Sequence, residues 1–258
     1  GRLTSVDIDA RPDIGSFEHW HFIQGDDLDP AVFAQLDECD IVFICVPTPS
    51  ADDGSCDTSA VRAAFADLEA RCYQGAVVIR STVPPMLMEE LALNAQPTDR
   101  RRFLANPEFL RMRDAEHTSR WPAHVVIGGN PQYGGTINAE QDPWVRKLVA
   151  FYRPYFDDKT APPIFVTDYR SASFYKYLSN ALLAATVMLA DEAWETARAL
   201  GVDWEMCHSI AQRCPVTPKT IRVDQEDRGF SGACLPKDFA AFVEFAKAAG
   251  SSVPLFER

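Results

Sequence analysis

The first half of the chain alternates short apolar runs with stretches of helical character. The clearest runs, residues 41–46 and 76–79, are continuously apolar, which is typical of parallel strands buried on both faces of a sheet. Further strands are predicted at residues 3–9, 19–24, 102–105 and 124–127, and helices at 30–37, 59–72 and 87–93. Strands separated by helices predict an α/β fold built on a doubly wound parallel sheet.

The second half of the chain is predicted to be mainly helical. Residues 171–200 contain no proline or glycine and repeat apolar residues at helical spacing, which predicts one helix of about 45 Å. Gly201 is placed as the residue beyond its end. Asp168 and Asp203 are predicted caps, and further elements are predicted at 143–155, 164–166, 203–212 and 236–249. These patterns divide the chain into a sheet domain at residues 1–166 and a helical domain at residues 167–258.

Composition narrows the possible partners. The 37 acidic and 25 basic residues give a net charge of −12, which argues against nucleic acid as the main partner. The longest apolar run is too short to span a membrane, and residues 1–5 lack the zones of a signal peptide. Seven cysteines without regular spacing favour free thiols and no zinc site. We therefore expect a cytoplasmic protein with no nucleic-acid, membrane or metal partner.

Cys234 is the strongest candidate for a reactive group. It follows Gly229 and Gly232, which let the backbone approach a ligand closely, and precedes Pro236, which favours the first turn of a helix. A thiol at a helix start, with Lys237 nearby, is favoured in its nucleophilic thiolate form. The alternative is a small buried cysteine.

Lys176 and Asn180 form a second candidate group. They are four residues apart on the long helix, so they share a face, and their neighbours are mostly apolar. A lysine and an amide directed into a site could stabilise an oxyanion. The alternative is a solvated polar stripe.

Several polar residues follow predicted strands or begin predicted helices. Asp7 could bind a ribose diol, and Glu108 could act as a general base or be a solvated carboxylate. Ser81 and Thr82 could bind a ligand or cap the next helix. Asp238 could complement the helix dipole or hold a water near Cys234. In doubly wound sheets, ligands bind at the carboxyl ends of strands, where the first four of these residues lie.

In chain order, these segments resemble the nucleotide-sugar dehydrogenases, the UDP-glucose/GDP-mannose dehydrogenase family. The most specific segment is Cys234-Leu-Pro-Lys-Asp238 after a glycine-rich loop. The other matching segments are residues 6–9, 40–49, 81–85, 106–111, Lys176 with 180–184, and 229–233. The resemblance implies an incomplete Rossmann-like doubly wound sheet followed by a helical central domain that forms a homodimer through the long helix near residues 171–200.

The resemblance also implies a reaction. A sugar primary alcohol is oxidised to a carboxylate in two hydride transfers to NAD, through a thiohemiacetal and a thioester on Cys234. Lys176 and Asn180 match the oxyanion-stabilising groups, Asp238 matches the acid that acts with lysine and water, and Glu108 and Thr82 match residues that support water and proton transfer.

The remaining site residues implied by the resemblance contact ligands. Those matching the cofactor site are Asp7, Val46, Pro47, Thr48, Ser81 and Thr82. Those matching the substrate site are Glu108, Phe109, Leu110, Arg111, Lys176, Asn180, Phe230 and Gly232.

This chain also departs from the family pattern. Asp191 stands where the family usually has asparagine, and the sequence contains no Gly-x-Gly-x-x-Gly. We expect the chain to be the middle of a larger enzyme, lacking the N-terminal glycine-loop unit and the C-terminal nucleotide-binding domain. An alternative is a short homologue that no longer turns over NAD and serves as a binding or scaffold protein. It could also use the Cys/Lys/Asp cluster on another small substrate.

Overall fold

The computed structural model describes most of the chain in several segments. They are residues 3–7, 20–24, 34, 36, 39–95, 102–110, 114–131, 142–153, 161–216, 229–230, 232, 234–254 and 256. The chain divides into two units, the first made of residues 1–48 and 58–173 and the second of residues 49–57 and 174–258. The domain boundary predicted between residues 166 and 167 stays a prediction.

The first unit contains two separate sheets. A two-stranded parallel sheet pairs β1 (Leu3–Asp7) with β2 (Trp20–Gln24). A five-stranded sheet has the order β3-β4-β5-β6-β7. Its strands are β3 (Ile41–Ile44), β4 (Ala76–Ile79), β5 (Phe103–Ala105), β6 (Val125–Gly129) and β7 (Ile164–Asp168). The α/β class is confirmed.

One strand pair does not follow the predicted parallel arrangement. β5 and β6 are antiparallel, with Ala105 opposite Gly128, whereas the other neighbours in the sheet are parallel. Parallel neighbours need a crossover, usually a helix that runs back along the strand. In the described part of this connection, the helix is α3 (Ala115–Arg120), only six residues long. The predicted parallel sheet is therefore confirmed as mostly parallel, with one antiparallel pair.

The other helices lie close to their predicted positions. They are α1 (Ser59–Ala70), α2 (Pro85–Asn94), α4 (Pro143–Tyr152), α5 (Tyr169–Leu200), α6 (Trp204–Arg213) and α7 (Leu235–Ala248). α2 begins earlier than predicted because Pro85 fits the first turn, where its missing N–H needs no partner. The helix predicted at 30–37 lies mostly outside the described residues. Within this range the structure describes Ala34 and Leu36, and both are helical. No described helix combines the length and apolar character needed to cross a membrane.

Helix ends are set by local chemistry. Asp168 accepts hydrogen bonds from the amides of residues 170 and 171, although β7 extends to this residue instead of ending at 166. Asp203 caps α6 through the Met206 amide, and Gly201 ends α5 with φ +67°. These three predictions are confirmed. Thr58 occupies the N-cap of α1, but its hydroxyl accepts from Arg62 instead of capping.

The sheet positions differ in burial. Every residue of β4 is buried, as predicted for a strand covered on both faces, with Val77 and Ile79 in one core cluster and Val78 in another. Residues 41–43 of β3 are only half-buried, because β3 is the edge strand of its sheet. In the second unit, Tyr177 and Ala181 of α5 pack against Ala241 and Phe242 of α7.

Candidate active site

In the second unit, α5 and α7 bring three candidate side chains close together. Lys176 is buried, with 6% of its surface exposed, and lies one turn before the half-buried Asn180 on α5. The Asn180 amide nitrogen Nδ2 donates to Oδ2 of Asp238 at 2.6 Å. The packing of Tyr177 and Ala181 against α7 explains why Asn180 lies beside the start of that helix. The structure therefore joins two residues that are 58 positions apart in the sequence.

Asp238 is the most buried ionisable group of this cluster. Only 1% of it is exposed, and its second oxygen, Oδ1, accepts a 2.5 Å hydrogen bond from Nζ of Lys237. Its position in the first turn of α7 lets the helix dipole favour a negative charge. Both oxygens of the carboxylate are therefore bonded to protein donors.

Cys234 is exposed at the N-cap of α7, and its side chain forms no capping hydrogen bond. The preceding glycines, Gly229 and Gly232, have φ values of +82° and +88°, which explains the need for glycine at both. The Cys234 carbonyl accepts the Asp238 amide at 3.0 Å, so the thiol and the carboxylate belong to the same helical turn. The alternative of a buried structural cysteine is wrong, and the thiol is accessible to a reaction partner.

Tyr177 on α5 also lies near the site, and the sequence did not indicate this. The side chain is fully buried, and burial raises the pKa of its hydroxyl. The Cys56 thiol and the Asp238 carboxylate raise this pKa further, so Tyr177 stays neutral beside the carboxylate. The sequence indicated Lys237 only as a neighbour of Cys234, whereas the structure shows it bonded to Asp238, the next residue.

In the first unit, the candidate residues lie in loops at the carboxyl ends of β3, β4 and β5. The loop after β3 carries the half-buried Val46, the exposed Pro47 and the buried Thr48. The Ser81 hydroxyl, after β4, donates to the Val46 carbonyl at 2.7 Å. This hydrogen bond ties the first two loops together, and the half-buried Thr82 follows directly.

A buried network at the same edge was not foreseen. Asn106, after β5, donates through Nδ2 to the Val126 carbonyl at 2.8 Å. Its Oδ1 accepts from Arg80 at 2.9 Å and from the hydroxyl of Tyr152. The network fixes the start of the Asn-Pro-Glu segment, two residues before Glu108. Its members are 20 to 46 residues from Asn106, so no local pattern indicated it.

Electrostatics place Glu108 near this network. Burial raises the pKa of the Cys45 thiol, Arg80 lowers it in part, and Glu108 raises it again. Arg80 and Glu108 are therefore both within electrostatic reach of Cys45. Phe109, the next residue, has its ring 4.5 Å from that of His124.

The remaining predicted residues are less informative. Leu110 is half-buried, and Phe230 is half-buried with its ring 5.5 Å from that of Phe239. Asp7 ends β1, as expected, but its side chain and all of Arg111 lie outside the described residues. Across the described segments, no three His, Cys, Asp or Glu side chains are grouped to hold a metal ion.

Comparison with known protein families identifies the arrangement. Residues 28–140 match the NAD binding domain of the UDP-glucose/GDP-mannose dehydrogenase family, and residues 170–258 match the family's central domain. The chain belongs to this family. The match confirms the resemblance, the enzyme class and NAD as the family's cofactor.

Individual relatives agree with the assignment. The chain is 31% identical over 226 residues to the UDP-glucose 6-dehydrogenase of Pseudomonas aeruginosa, covering 83% of this chain and 46% of the relative. It is 28% identical over 230 residues to the UDP-glucose 6-dehydrogenase AglM of Haloferax volcanii, covering 84% and 50%. The chain thus spans about half the length of the curated relatives it matches.

A solved structure extends the agreement to the fold. The UDP-glucose dehydrogenase of Pyrobaculum islandicum superimposes with a TM-score of 0.70 at 26% identity, over 93% of this chain and 52% of that one. A ternary complex of GDP-mannose dehydrogenase from Pseudomonas aeruginosa has the same fold, with a TM-score of 0.58 at 24% identity.

Proposed function

We propose that this chain carries the oxidation chemistry of a nucleotide-sugar dehydrogenase. In this reaction the primary alcohol of a UDP- or GDP-linked sugar becomes a carboxylate in two hydride transfers. The observation that carries the proposal is the exposed thiol of Cys234 in the same helical turn as a buried Asp238 held by Asn180 and Lys237.

The side chains of the second unit suit the thiol chemistry. The Cys234 thiolate attacks the carbonyl carbon of the aldehyde, so that an S–C bond forms and the carbonyl oxygen becomes an oxyanion. Lys176 and Asn180 donate to this oxyanion. Asp238 orients the Asn180 amide and forms an ion pair with Lys237. The second hydride transfer converts this thiohemiacetal to a thioester. In the last step water attacks the thioester, the C–S bond breaks, and the thiolate and the carboxylic acid are released.

The carboxyl edge of β3 and β4 suits a dinucleotide cofactor. Bound NAD would accept the hydrides. We assign its binding to Asp7, Val46, Pro47, Thr48, Ser81 and Thr82. The fit is supported by the hydrogen bond from Ser81 to Val46, which fixes two neighbouring loops where ligands bind in doubly wound sheets.

In each unit, some residues match the sugar-nucleotide site of the family. Glu108 and Thr82 support water and proton transfer. Glu108, Phe109, Leu110 and Arg111 contact the sugar nucleotide, together with Phe230, Gly232, Lys176 and Asn180. The Arg80–Asn106–Tyr152 network supports this assignment, because it fixes the backbone just before Glu108.

Activity assays test the proposal. The full-length gene product is mixed with NAD and a panel of UDP- and GDP-sugars, and NADH is followed by absorbance. We expect NADH with at least one of the sugars, a lower yield of NADH in Cys234→Ser because the second oxidation needs the thiol, and retained activity in Cys207→Ser, which changes another exposed thiol, on α6. Absence of NADH with every sugar, or full activity of Cys234→Ser, would refute the proposal.

We also propose a homodimer formed through α5. Tyr175, Leu182 and Leu189 recur every seven residues on this helix and are 39%, 56% and 66% exposed. Such a stripe suits packing against a second copy. Light scattering should show a dimer that Leu182→Glu converts to monomer, whereas Leu93→Glu, at an exposed leucine of α2, should leave it intact. A monomeric wild type would contradict the assignment.

A further inference from the structure

Helix α5 contacts the glycine-rich segment before Cys234 through a residue outside the predicted site. Oδ2 of the half-buried Asp191 accepts a hydrogen bond from the backbone N–H of Gly229. Among the described residues, a Cβ added at Gly229 would meet only this oxygen, at 4.0 Å, whereas the φ of +82° itself favours glycine. The contact is therefore a directed hydrogen bond to an otherwise exposed backbone amide.

The same helix contacts the other side of Cys234. Asn180 binds Asp238 at 2.6 Å, four residues after the thiol, whereas Gly229 lies five residues before it. Asp191 follows Asn180 by eleven residues, which is about three turns, so both side chains lie on one face of α5 about 16 Å apart. The segment that carries Cys234 is therefore held to one helix at both of its ends.

We propose that Asp191 is a positioning residue for Cys234, and that Asp191 and Asn180 together form a two-point clamp on residues 229–238. A carboxylate is a stronger acceptor for a backbone N–H than a neutral group. An asparagine at position 191 keeps an acceptor oxygen in the same place, whereas an alanine keeps none. The role of the clamp in catalysis rests on the proposed function, but the clamp itself does not.

Three variants of the full chain test the clamp. Asp191→Ala removes the acceptor, Asp191→Asn keeps one, and Glu192→Ala changes the exposed carboxylate next to it on α5. The first readout is amide hydrogen exchange in protein labelled with [15N]glycine, with Gly229 assigned from Gly229→Ala. The Gly250 amide, bonded to the Lys247 carbonyl at 2.8 Å, is the internal reference.

The second readout is the alkylation rate of Cys234 across a pH series, measured by peptide mass spectrometry with Cys207 as the reference thiol. In Asp191→Ala we expect about tenfold faster exchange at Gly229 and a changed pH profile for Cys234, with both references unchanged. Asp191→Asn should stay within about twofold of the wild type on both readouts, as should Glu192→Ala.

Three results would overturn the clamp. The first is wild-type behaviour of Asp191→Ala. The second is an Asp191→Asn variant as impaired as Asp191→Ala, because the charge and not the hydrogen bond would then matter. The third is a global loss of structure in Asp191→Ala, visible as faster exchange at Gly250 too. Neither readout needs NAD or a sugar nucleotide, so the clamp and the proposed oxidation can fail independently.

Discussion

The hydrogen bond between Asn180 and Asp238 should be among the strongest single side-chain contacts in the second unit. Asn180→Ala removes an amide donor 2.6 Å from a carboxylate that is only 1% exposed. Water cannot readily replace that donor, because the carboxylate is buried and Oδ1 is already bonded to Lys237. The substitution therefore leaves a buried charge with one fewer partner.

The expected magnitude follows from this geometry. A hydrogen bond to a charged group contributes about 1.5–3 kcal/mol, and Asp238 keeps its second partner, Lys237, when Asn180 is removed. We expect Asn180→Ala to lower the free energy of unfolding by about 2 kcal/mol, which is about 4–8 °C in Tm for a protein of this size. The coupling energy between Asn180→Ala and Asp238→Ala should be of similar size.

Urea denaturation followed by circular dichroism measures this coupling as a double-mutant cycle. The matched control is the pair Lys247–Glu244 on α7, whose 3.0 Å contact joins side chains that are 48% and 38% exposed. That pair should couple by less than about 0.5 kcal/mol. If Asn180 and Asp238 couple no more strongly than the control pair, the buried cluster around Asp238 is refuted.

Three further predictions concern backbone geometry and pH. Gly128→Ala should lower the unfolding free energy by about 3 kcal/mol in denaturant titrations, because its Cβ would lie 2.6 Å from the Cα of Tyr169; an unchanged midpoint would contradict this contact. Cys72→Gly should raise Tm by a few degrees, which is about 1 kcal/mol in unfolding free energy, because Cys72 has φ +56° just after the C-terminal end of α1. Gly201 occupies the corresponding position after α5. Cys72→Ala should give no gain in Tm, and a gain equal to that of Cys72→Gly would refute the reasoning. Burial lowers the pKa of His124, so as pH falls the imidazole takes up its proton in the unfolded chain before it does so in the folded protein, and stability should be lost below about pH 6.5. The fall in Tm between about pH 7.5 and pH 5.5 should therefore be smaller in His124→Gln than in the wild type. An equal fall would contradict the assignment.

Much of the fold was readable because its signals are local. The apolar run of β4, the capping aspartates before α5 and α6, and Gly201 after α5 act within a few residues of themselves. The antiparallel pairing of β5 with β6 was not readable, because strand direction depends on how the chain returns between them and not on the residues of either strand.

The residues of the candidate site also fall into those that the sequence indicated and those that it did not. Cys234 and Asp238 were found because they share one short, specific motif at a helix start. The sequence did not indicate the Arg80–Asn106–Tyr152 network or the contact between Asp191 and Gly229, because each joins residues more than 25 positions apart. Their residue types carry no chemical signal until the fold brings them together.

The stoichiometry of the reaction tests the central claim most directly. NADH and sugar carboxylate should be quantified together in one reaction of the full-length gene product with its best nucleotide sugar. Oxidation through a thioester on Cys234 predicts two NADH for each carboxylate formed, and no carboxylate in Cys234→Ser. One NADH for each molecule of an aldehyde or ketone product, or carboxylate formation that survives Cys234→Ser, would contradict the account.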